Sequence, residues 1–112
     1  MENYNEQFKI ILSKEEKIKC LEEILLKLKK VLYVYDKSNE AESKYNYKVY
    51  CGGILIYISS SNYLFDGDLI NIIIGLNAII NENLDKTQIK RIVFDCRNEV
   101  QSLINRYNKE LA

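Results

Sequence analysis

The sequence predicts a small α+β domain: an N-terminal helix, an antiparallel β-hairpin that a third short strand can extend, and two C-terminal helices packed on the sheet. Three observations predict it. Gly52-Gly53 sits between two short apolar runs, the arrangement of a two-residue hairpin loop whose positive φ angles glycine tolerates. Apolar residues recur at steps of three and four over two long charged segments, one on each side of that hairpin. Between residues 45 and 84 the charges thin out to Lys48, Asp66, Asp68 and Glu82, which marks an apolar heart between charged covers.

Residues 2–12 are compatible with a short lead-in or with the start of the first helix. Ser13 with Glu16 forms a capping box, and the helix behind it runs to about Tyr35. Its stripe is Ile18, Leu21, Leu25, Leu28, Leu32 and Tyr35, widened by Ile24 and Val31, with Leu26 and Tyr33 lying off it. Asp36 to Lys44 reads as a polar loop.

The hairpin is expected over Tyr45–Cys51 and Ile54–Ser59. Alternation places Tyr45, Tyr47, Val49, Cys51, Ile54, Ile56 and Ile58 on an inner face free of charge. The outer face then carries Lys48, Tyr50, Leu55 and Tyr57. Ser60 to Asn62 makes a turn, and Tyr63–Phe65 supplies the third short strand before Asp66-Gly67.

Asp68 is the expected N-cap of a helix through about Asn81, with Leu69, Ile72, Ile73, Leu76 and Ile80 on its main face. The β-branched content of Leu69 to Ile74 makes a strand the competing reading. Gly75 and Ala78 leave room for a neighbouring backbone. Asp85 with Gln88 caps the last helix, about Thr87 to Glu110, whose stripe includes Ile89, Val93, Cys96, Val100, Leu103, Ile104 and Tyr107. Phe94 points about 140° away from that stripe, among Arg91, Asn98 and Gln101.

The 112 residues make one domain, residues 1–112, with 16 basic and 16 acidic side chains, a balance that argues against a nucleic-acid partner. No apolar run reaches the roughly 20 residues a membrane span requires. Three separated cysteines, Cys20, Cys51 and Cys96, and no signal-peptide pattern fit a reduced, cytoplasmic setting.

Chemistry is sparse. There is no histidine, hence no imidazole base or histidine metal ligand. Neither a phosphate-binding glycine loop nor a cofactor motif is present, and no cofactor is expected. Asp66 and Asp68 flank a turn and offer a carboxylate–metal alternative, although Asp and Gly are also what turns and caps select. Cys51 falls on the apolar face and reads as a buried structural thiol.

Nine tyrosines point instead to recognition surface. Two patches are candidates for protein binding: Lys48, Tyr50, Leu55 and Tyr57 on the hairpin, and Arg91, Phe94, Asn98 and Gln101 on the last helix. The expected function is a non-enzymatic binding protein of the inhibitor, immunity or antitoxin kind, of bacterial or phage type, which masks a surface of another protein and can also pair with itself. A small-ligand or nucleotide-binding dimer is the alternative from another class.

Overall fold

The structure, a computed structural model, describes residues 13–37 and 40–111. Among them are four α-helices and no strand: α1 (Lys14–Lys37), α2 (Glu40–Ser59), α3 (Ile70–Asn81) and α4 (Lys86–Leu111), with a single 3₁₀ turn at Asn62–Phe65. The fold is all-α, which overturns the expected α+β class. The reading of residues 2–12 lies outside the described residues.

The correction centres on the predicted hairpin, which is continuous helix through both glycines. Positive φ occurs only at Asp66 (54°) and Gly67 (83°) among the described residues, so Gly52 and Gly53 make no primed turn. The helix enters this segment unbroken from Glu40 and still buries Tyr47, Cys51, Ile54 and Ile58, which recur at steps of four, three and four. Burying each is worth about 1.5–3 kcal/mol, which outweighs the roughly 1 kcal/mol that each mid-helix glycine costs. The predicted loop before it is helical as well, from Glu40 onward.

The other helices follow their local signals. In α1 the capping box forms as read: the Glu16 N–H donates to Ser13 Oγ and the Ser13 N–H to Glu16 Oε1, both at 3.2 Å. Its buried line is Leu21, Ile24, Leu28 and Val31, flanked by half-buried Ile18, Leu25 and Leu32. Leu26 and Tyr33 face outward. The second box also forms, with the Gln88 N–H on Asp85 Oδ1 at 2.9 Å and the Asp85 N–H on Gln88 Oε1 at 3.0 Å.

The link into α3 is tighter than the sequence suggested. Residues 63–65, read as a third strand, belong to the 3₁₀ turn. Asn62 clips the turn: its carbonyl accepts the Gly67 N–H at 3.2 Å and its side-chain oxygen the Leu69 N–H at 3.2 Å. Asp68 therefore does not cap α3, and Leu69 holds the cap position without a side-chain bond. The competing strand at Leu69 to Ile74 does not form.

Each helix packs on its neighbours in sequence, and α4 closes the ring against α1. Lys14 at the start of α1 pairs with Glu110 in the last turn of α4, and Asp68 just before α3 pairs with Arg106 of α4. The starts of α1 and α3 thus meet the end of α4 at one end of the molecule. Successive helices run antiparallel around a shared core that includes Leu28, Tyr47, Ile58, Leu76 and Val93. No described helix is long and apolar enough to cross a membrane.

Candidate protein-docking face

The helical form of α2 re-sorts the residues that alternation had assigned. With its core line fixed at Tyr47, Cys51, Ile54 and Ile58, the opposite side of the helix carries Tyr45, Val49, Gly52 and Ile56, again at steps of four, three and four. Tyr45 is 69 % exposed, Val49 54 % and Ile56 75 %. The sequence reading had put all three on the inner face. They form an uncharged stripe about 16 Å long on the outside of the bundle.

At its middle the stripe drops to backbone. A methyl group added at Gly52 or Gly53 would meet nothing within 4 Å. Beside this saddle a groove of about 310 Å³ runs between α1 and α2, lined by Lys27, Lys30, Val49, Tyr50, Gly53 and Ile54. The predicted hairpin patch is divided by this geometry. Tyr50 and Tyr57 lie on the flank toward α1, Lys48 and Leu55 on the other, and the four share no common face. Tyr57 is half-buried; it takes the Lys27 ammonium 5.5 Å from its ring centre and donates to Glu23 at 3.4 Å. Burial first, then the neighbouring Cys20 and Glu23, raise its pKa.

The second predicted patch is assembled as one strip. Arg91, Phe94, Asn98 and Gln101 are all exposed along α4. Phe94 is the single large apolar side chain of the four, and the Arg97 guanidinium lies 5.2 Å over its ring. Gln101 donates to Asn105 at 3.0 Å. The strip is polar and partly self-satisfied, and it presents less exposed apolar surface than the outward side of α2.

Asp66 and Asp68 engage different partners. Asp66 is 4.0 Å from the Lys17 ammonium with its side chain 89 % exposed. Asp68 pairs with Arg106 and accepts the Tyr107 hydroxyl at 2.6 Å. Phe65 stacks on Tyr107 at 6.4 Å between centroids, and the Lys17 ammonium lies 5.7 Å from the same ring. This cluster ties the end of the bundle together, and no local pattern announces it because Asp68 and its partners lie 38 and 39 residues apart. Among the described residues no group of three or more His, Cys, Asp or Glu side chains is placed to hold a metal ion.

Cys51 and Cys96 sit where nucleophilic chemistry is disfavoured. Burial, with each other's proximity second, pushes the Cys51 thiol up to about 12; burial, with Asp95 and Glu99 nearby, pushes Cys96 up to about 11. Tyr107 is raised to about 12 by burial and by its bond to Asp68. All three pKa values lie above their unfolded values, near 8.5 for cysteine and 10 for tyrosine. The stability they contribute is complete below about pH 8.5 and is lost as pH climbs toward 11–12. Thermal melting followed from pH 8 to 12 should show a midpoint that falls steadily above pH 9. Replacing Cys51 and Cys96 together by alanine should flatten the first part of that fall; an unchanged slope would mean the thiols are not buried.

Comparison of the chain with family models, with curated proteins and with solved structures returned no match at all.

Proposed function

We propose that this chain is a non-enzymatic binding protein of the inhibitor, immunity or antitoxin type, and that it masks a surface of another protein with the outward face of α2. The observation that carries the reading is the stripe of Tyr45, Val49 and Ile56, more than half exposed and directly opposite the core line of the same helix. A surface helix normally turns polar residues outward, and contiguous exposed apolar side chains mark interaction sites. The polar machinery supports the same reading. Cys51 and Cys96 are buried, and Asp68 is engaged by Arg106 and Tyr107.

The test is a paired substitution, Val49→Glu with Ile56→Glu. Both side chains are exposed, so the double variant should melt within about 1 kcal/mol of the parent. It should also lose the protein that the parent retains when used as bait in extracts of its native cells. A target held equally by parent and variant would rule this face out.

A further inference from the structure

We propose that the outward face of α2 receives an amphipathic helix of another protein whose apolar stripe is flanked by acidic side chains. The inference rests on the docking reading above and adds the chemistry of the occupant.

Shape comes first. Two adjacent glycines in the interior of a helix are unfavourable relative to alanine, and among the described residues nothing occupies the space they leave. Gly75 shows the contrast: a methyl group there would stand 2.9 Å from Cys96 Sγ and 3.2 Å from Ile92, so that glycine serves the internal packing of α3 on α4. Gly52 and Gly53 make the same kind of allowance on a side where none of the described helices lies. A helix crossing that saddle can come closer than the usual 8–10 Å or so between axes. Tyr45 and Ile56 bracket the saddle at a span of about three helical turns, the reach of anchors at i, i+4, i+7 and i+11 on an incoming helix.

Charge then selects the occupant. From Tyr45 to Ser59 the only charged residue is Lys48. Lys27 and Lys30 line the groove along the other flank. Glu23 lies beside the same two lysines and accepts the Tyr57 hydroxyl, so the lysines outnumber the carboxylate on that flank. The stripe is therefore apolar with a basic rim, and its complement is apolar with an acidic rim. A second copy of this chain fits poorly. With α2 antiparallel to its copy, a two-fold axis through the glycine pair would bring Lys27 and Lys30 of both copies to the same side of the crossing; with α2 parallel, it would set them toward the flank that carries Lys48.

The test uses two labelled 18-residue helical peptides that share one leucine face and differ only in its flanks, glutamate in one and lysine in the other. Fluorescence anisotropy should show the glutamate peptide binding at least about tenfold more tightly to the parent protein. The double reversal Lys27→Glu, Lys30→Glu should invert that preference. Gly52→Leu, which adds apolar surface but fills the saddle, should weaken the glutamate peptide at least about tenfold without lowering the melting temperature. Equal binding of the two peptides, binding of neither, or binding indifferent to Gly52→Leu overturns the proposal. The native-cell bait separates this failure from that of the docking reading. A target lost with Val49→Glu and Ile56→Glu but indifferent to lysine reversal sinks the acidic helix alone, whereas a target kept by the Val49 and Ile56 variant sinks both.

Discussion

Replacing Phe65 by alanine should destabilise the protein by about 3–5 kcal/mol, the range for removing a buried aromatic ring. Phe65 is 1 % exposed, although it lies in the connection between α2 and α3 where side chains are usually exposed. It stacks on Tyr107 and so joins that connection to the last turns of α4. The effect is large relative to the total stability of a domain this size, about 5–15 kcal/mol. In urea, at a slope of about 1.5 kcal/mol per M, the midpoint should fall by roughly 2–3 M. Phe65→Leu, which keeps most of the volume, should lose about half as much. A loss under about 1 kcal/mol for the alanine variant would mean the ring is not part of the core.

The second large effect is a contrast in sign among glycines. Gly52→Ala with Gly53→Ala should stabilise the protein by about 1–2 kcal/mol, because both added methyl groups enter open space and alanine is the better helix former. Gly75→Ala should destabilise it. The same propensity gain is available there, but the methyl group would press on Cys96 Sγ at 2.9 Å and on Ile92 at 3.2 Å, and overpacking of this kind costs about 1–3 kcal/mol. Cys96 and Ile92, or the stretch of α4 that carries them, would have to give way. Chemical denaturation of the two variants beside the parent measures the split. If all three alanines stabilise, the α3–α4 contact is looser than described. If all three destabilise, the outward side of α2 is not open.

Much of the helical framework was readable from local pattern. Ser13 with Glu16 and Asp85 with Gln88 each satisfy orphan N–H groups within one turn, so their chemistry is complete inside four residues of sequence. The stripes of α1 and α4 were legible for the same reason, and so was the outward position of Phe94. Helix α2 was misread through a coincidence of parity. A two-residue reversal at Gly52-Gly53 shifts an alternating pattern by one, so Tyr47, Cys51, Ile54 and Ile58 fall on one face of a hairpin and equally on one face of a helix. Only Tyr45, Val49 and Ile56 separate the two: alternation buries them and a 3.6-residue period exposes them. The helix-favouring run from Glu40 to Lys44 was the available signal, since it continues without a break into the apolar segment. The cluster around Asp68 had no such signal. Its partners lie in the last turns of α4, and no window shorter than the whole bundle contains both.

The ring of helix contacts has a kinetic corollary. Three of its four seams join helices adjacent along the chain, and each can zip from a short connection at small entropic expense. The fourth, α1 against α4, must bring together segments separated by most of the polypeptide. Docking of α4 onto α1 is therefore the step where refolding is slowest to commit, and side chains along that seam, Tyr107 against Lys17 among them, are where substitution should slow refolding rather than hasten unfolding.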